Sequence, residues 1–141
     1  VQASICAPMV NAWRANAPTL EERYIPQTVV PSDFVRVLRT RRPTDSYPVL
    51  KRIMDKTEGR FEDVSEEGIL DALRLFYVDD YYRDLYRKTG RIVGLEPATA
   101  LAGVVKGVRE GYISKGARVL LNVSGAAKDG DIKKEWISDL L

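Results

Sequence analysis

The chain has 141 residues, 45% of them hydrophobic and 30% charged, which is the length and composition of one globular domain able to bury a core without disulfides or metals. Twenty-two basic side chains against 20 acidic ones leave a net charge of +2, too balanced for a polyanion-binding surface, so nucleic acid is not expected as a partner. The absence of histidine removes His-based general base catalysis, the Ser-His-Asp triad and nearly every familiar zinc site.

Residues 1–3 (VQA) read as the end of a strand, and 8–15 (PMVNAWRA) as a helix with Met9, Val10 and Trp13 inward. Between them lies Cys6, the only cysteine, which rules out an internal disulfide, fits a reducing, cytoplasmic compartment and reads as a small packing residue. Neither a signal sequence nor a transit peptide opens the chain. A start that looks cut from the middle of a sheet suggests a fragment of something longer. Residues 19–30 have mixed signals and read as a connection.

Residues 34–38 alternate apolar and charged side chains as a strand does, and after the turn-prone Arg42-Pro43 a helix is expected over 49–54, ended by Gly59. A second short strand follows over 60–64. Ser65 then suits an N-cap, with Glu66 and Glu67 at the positive end of the helix dipole and Ile69, Leu70, Leu73, Phe76 and Tyr77 marking the buried face. The stretch 77–88 (YVDDYYRDLYRK) reads as a solvated helical extension of mixed charge. Asp79, Asp80 and Asp84 as metal ligands, or its tyrosines as base-stacking groups, are weaker alternatives. Arg36, Arg39, Arg41 and Arg42 form the densest basic cluster, more simply surface charge than a phosphate contact.

The last third is clearest. An apolar run at 91–95, helical periodicity over 97–112 and a β-rich run at 118–123 (RVLLNV) predict a βαβ unit with parallel strands and a right-handed crossover. Pro97 fits the first helical position, Ala98, Leu101, Ala102, Val105 and Val108 form one face, and Gly111 and Gly116 supply the exit turn. Lys106 interrupts the most apolar stretch, so no membrane-spanning run exists. The Gly103 and Gly107 spacing fits close packing on the sheet. Alternating strands and helices imply a single α/β domain over 1–141: a three-layer, mostly parallel sheet with helices on both faces.

Ligands of such sheets bind beyond the carboxyl ends of the strands. Two loops are expected there, Gly94-Leu95-Glu96-Pro97 and Asn122-Val123-Ser124-Gly125, roughly 5 to 10 Å apart. Glu96 and Ser124 could then face one ligand. On its own residues Ser124 is more simply an N-cap for a helix entering 126–128.

The passage 94–129, GLEPATALAGVVKGVREGYISKGARVLLNVSGAAKD, resembles the carboxyl-terminal signature of the threonine-synthase-like family of type II pyridoxal-phosphate enzymes. Glu96-Pro97, Gly111, Gly116, Ser124-Gly125 and Lys128-Asp129 stand in the family's order. Val1-Gln2-Ala3, Ala7-Pro8, Ala12-Trp13-Arg14 and Phe34-Val35-Arg36-Val37 are similar to its earlier strands and helix. The resemblance implies the carboxyl-terminal part of the large domain of a tryptophan synthase β-like fold. It makes Ser124 the hydroxyl that hydrogen-bonds the pyridine nitrogen of pyridoxal 5'-phosphate, with Gly125 admitting the ring and Glu96 close to it. A neutral hydroxyl does not hold the ring protonated, which suits elimination and replacement at the β or γ carbon.

In two respects the chain departs from the family. The lysine that would form the Schiff base and the glycine-rich phosphate loop have no match here and are expected upstream of Val1, so this chain alone should be inactive. The implied activity is β/γ-replacement or elimination on an O-phosphorylated amino acid, in the threonine synthase branch or in the cysteate synthase branch, which uses phosphoserine and sulfite. Implied partners are that substrate, the amino-terminal remainder of the enzyme and further copies in a homo-oligomer. The alternative is a non-catalytic α/β module binding a small anion or a protein.

Overall fold

A computed structural model of the chain describes residues 1–27, 42–124, 127 and 132–140. The expected strand at 34–38, and with it Arg36, Arg39 and Arg41, lies outside them. Strand β1 (Gln2–Ala3) pairs in parallel with β2 (Asp63–Val64), Gln2 opposite Asp63 and Ala3 opposite Val64. Parallel pairing obliges the chain to cross over between the two. The described part of that connection carries helices α1 (Pro8–Arg14) and α2 (Ser46–Thr57). Helices α3 (Glu66–Phe76), α4 (Asp80–Thr89) and α5 (Leu95–Arg109) follow β2. The described residues therefore make a helix-rich α/β fold around one parallel strand pair. None of their helices is long and apolar enough to cross a membrane.

Helix α1 starts at Pro8, whose missing N–H costs nothing in the first turn. Two of that turn's orphan donors, the Met9 and Val10 N–H groups, are taken by the Gln2 amide oxygen at 3.0 and 3.2 Å. The side chain at the start of β1 thereby fixes the helix that follows it. Val10 is buried, and Met9 and Trp13 are half-buried, against a small core that includes Leu20, Ile25, Tyr47 and Phe61. Tyr47 is fully buried, and its hydroxyl donates to the Ala17 carbonyl at 2.8 Å. Cys6 is buried. At the end of α2 the left-handed residue is Glu58, with φ 53°, and not Gly59, which instead donates its N–H to the Met54 carbonyl at 2.9 Å.

The larger core lies between α3 and α5, where Ile69, Leu73 and Phe76 meet Leu95, Ala98 and Ala102, with Ile137 also buried. Ser65 caps α3 as expected, its Oγ accepting from Gly68 N–H at 3.1 Å. Helix α4 buries none of its residues. Asp79 caps it, Gly90 ends it with φ 66°, and the pairs Arg83 with Asp80 and Arg87 with Asp84 run along it. The mixed charge is as the sequence predicts, but this is a separate helix and not an extension of α3: Tyr77 is buried, and Tyr82 and Tyr86 pack half-buried against the core.

Three expectations for the last third are corrected. Helix α5 begins at Leu95, so Pro97 occupies its third position and Glu96 belongs to the first turn, not to a preceding loop. Val108 is exposed while Leu95, Thr99, Gly103 and Gly107 are buried. Val108 is rotated by about 80° from Ala98 on the helix. The inward face instead follows the glycines, because Val1 lies over Gly103, and Tyr112 and Ile113 lie over Gly107. Finally, the βαβ unit does not form: Val93 makes only an isolated bridge, and 118–123 has no regular structure, with Leu120 99% exposed. A strand gains its hydrogen bonds only from a partner, and among the described residues none pairs with 118–123.

Candidate functional site

The Glu96 carboxylate is exposed on the first turn of α5, whose N-cap, Gly94, is buried. Ser124 is exposed too, and no hydrogen bond holds its hydroxyl among the described residues. One backbone bond ties their segments together: Ala127 N–H donates to the Ile92 carbonyl at 2.8 Å. Ala127 is three residues beyond Ser124, and Ile92 four before Glu96, so this bond brings the two segments near each other at one point. Gly125, Lys128 and Asp129, and the alternative helix entering at 126, lie outside the described residues.

A second place assembles chemistry that sequence reasoning missed. At the carboxyl ends of β1 and β2 the chain continues into Ser4 and Ser65, and beside them a cleft of about 280 Å³ opens between α3 and α5. Its polar lining includes Asp63, Asp71, Lys106 and Arg109, and Val64, Ala72 and Ala102 contribute apolar surface. Both serines have local tasks, Ser4 Oγ donating to the Val64 carbonyl at 2.6 Å and Ser65 capping α3. A serine directly after each short strand was the one available signal.

A charge network forms one flank of the cleft. Lys106 Nζ reaches Glu62 Oε2 at 3.0 Å, the Asp63 carbonyl at 2.9 Å and Asp63 Oδ1 at 3.3 Å. Arg14 closes on the same Asp63 oxygen at 2.6 Å. Arg60 lies 2.5 Å from Glu62 Oε1, an ion pair without hydrogen-bond alignment, and its guanidinium stacks on the Tyr112 ring at 3.9 Å. Glu62 is only 4% exposed, so these cations balance a carboxylate that would otherwise be costly to bury. Burial works to raise the Asp63 pKa, but hydrogen bonds and charge from Arg14 and Lys106 outweigh it and hold the carboxyl below its ordinary value. Burial likewise acts to lower Lys106, and Glu62 and Asp63 outweigh it, leaving the ammonium raised.

Asp71 on α3 and Arg109 on α5 stand apart from this network. Both line the cleft, both are exposed, and neither makes an ion pair with the other or with any described residue. Among the described residues no group of three or more His, Cys, Asp or Glu side chains could hold a metal ion. Compared with known proteins, the chain matches no family model, no curated protein and no solved structure.

Proposed function

We propose that the chain is the carboxyl-terminal part of a pyridoxal-phosphate-dependent enzyme of the threonine-synthase-like kind, acting on an O-phosphorylated amino acid. The observation that carries the reading is that the Ser124 hydroxyl, without a hydrogen bond among the described residues, and the Glu96 carboxylate are both exposed on segments joined by one backbone bond between Ala127 and Ile92. These groups occupy the positions that the resemblance gives to cofactor contacts. The exposed apolar run at 118–123 also suits a strand of a larger parallel sheet, a three-layer arrangement with helices on both faces.

The residues present fit the cofactor in part. A serine hydroxyl donates to a ring nitrogen without imposing a charge on it, and Glu96 can orient a polar group at the ring's edge. When bound, the cofactor would supply an electron sink for bond breaking at the substrate's β or γ carbon. This chain has no glycine-rich phosphate loop and no lysine in a matching context, so both are assigned to polypeptide preceding Val1. The proposed setting is cytoplasmic and oligomeric, with the exposed run at 118–123 covered by the remainder of the enzyme.

The test uses the complete polypeptide that carries this sequence, incubated with pyridoxal phosphate and dialysed. Retained visible absorbance, trapped on a lysine by borohydride, is expected, with phosphate release from O-phosphorylated amino acids. Phosphate release from phosphoserine dependent on sulfite would select the cysteate synthase branch. Ser124→Ala should weaken cofactor retention. A complete polypeptide with no retained absorbance and no such lysine would sink the reading.

A further inference from the structure

The cleft at the carboxyl ends of β1 and β2 has no part in the proposed cofactor site. We infer that it is a binding site for a small zwitterionic α-amino acid, with Arg109 taking the carboxylate and Asp71 the ammonium. The inference does not rest on the cofactor reading.

Location is the first argument, because in parallel sheets the space beyond the carboxyl strand ends is where ligands collect. Ser4 and Ser65 follow directly on β1 and β2 there. Size is the second: about 280 Å³ falls just under the roughly 300–1,000 Å³ typical of small-molecule sites, which favours a ligand of amino-acid dimensions.

Charge decides the class. Lys106 is already neutralised by Glu62 and Asp63, so it offers little to a ligand. Among the described residues Arg109 has no such partner, and its planar fork suits a carboxylate. Asp71, on α3 at the other side of the cleft, has no partner among the described residues either and suits an ammonium. A ligand carrying only negative charge would meet Asp71, together with Glu110, which Lys106 approaches only to 3.9 Å; Asp63 is already compensated by Arg14 and Lys106. A doubly charged phosphate group is disfavoured for the same reason, which separates this ligand from an O-phosphorylated substrate. Val64, Ala72 and Ala102 leave room for a short apolar side chain between the charged ends.

The experiment is calorimetric titration of the complete polypeptide with a panel of free amino acids, after borohydride treatment so that no amine can react at a bound aldehyde. Saturable binding of at least one small uncharged amino acid is expected. The amide and the N-acetyl derivative of that amino acid should bind at least tenfold more weakly. Arg109→Gln and Asp71→Asn should each weaken binding at least tenfold while circular dichroism stays unchanged. Absence of saturable binding, equal binding of either derivative, or full binding in both variants would overturn the inference. Should a variant fail to fold, the derivative comparison on the unaltered protein decides alone. None of these outcomes depends on cofactor absorbance, so this inference and the proposed function can fail separately.

Discussion

The Tyr77 hydroxyl accepts a hydrogen bond from the Val93 N–H at 2.8 Å, and both residues are buried. It ties the end of α3 to the segment that leads into α5, across the whole of the solvated helix α4. Burial pushes the Tyr77 phenol up from its ordinary pKa, opposed by the Val93 bond, so the group stays a neutral acceptor at physiological pH. Tyr77→Phe leaves a buried N–H without a partner and should cost about 1–3 kcal/mol, measured by urea denaturation. An unchanged midpoint would mean that water replaces the hydroxyl.

Acid sensitivity should centre on Asp63. Its folded-state pKa is depressed, so the stabilisation is present above the ordinary aspartate value of about 3.9 and lost as pH falls through the lower folded value. Asp63→Asn should flatten that acid limb in denaturation midpoints taken against pH. Arg14 is half-exposed, so solvent screening limits the effect to less than about 1 kcal/mol. Lys106 carries the opposite sign, its contribution being present below the ordinary lysine pKa and lost as pH rises through the higher folded value.

Glu58 holds a left-handed conformation that favours glycine. Glu58→Gly should raise stability by about 0.5–1 kcal/mol, the relief of strain exceeding the entropy that glycine adds to the unfolded chain. Thermal melts of the two proteins measure it directly.

Gly107 has no room for a methyl group, since an added Cβ would fall 2.6 Å from Tyr112 and 2.7 Å from Ile113. Gly107→Ala should therefore destabilise by about 1–3 kcal/mol, less the helix propensity gained. A more stable alanine variant would show that the turn after α5 yields freely.

Leu120 is almost wholly exposed, so Leu120→Lys should change the stability of this chain by no more than about 0.5 kcal/mol. In the complete polypeptide the proposed sheet would bury the position, and the same substitution should there cost several-fold more. Equal, small effects in both settings would count against a covered strand.

Helices were the legible part of this protein. Ser65 with Ile69, Leu73 and Phe76, and Asp79 through Gly90, each carry cap and period within one stretch of chain, whereas the small-residue run after Gly94 announced a helix but not its start or its inward face. Strands were legible only where a partner exists. Gln2–Ala3 and Asp63–Val64 form because they find each other across sixty-one residues, whereas 118–123 has equal β character and stays unpaired. Beyond the serine that follows each short strand, the cleft was not legible, because Asp71 and Arg109 are 38 positions apart and nothing local marks either as special.

The sequence by itself determined that helices stand in five stretches of the chain, that Ser65 caps α3 with Ile69, Leu73 and Phe76 inward, and that histidine chemistry and an internal disulfide are absent. Tertiary structure alone decided which strands pair, that Glu58 rather than Gly59 turns the chain, and that a lysine breaking an apolar run would neutralise buried Glu62. The reason is the range of the forces involved. A helix closes its hydrogen bonds within four residues and so announces itself locally, while strand pairing and charge compensation depend on groups that only folding brings within a few ångströms.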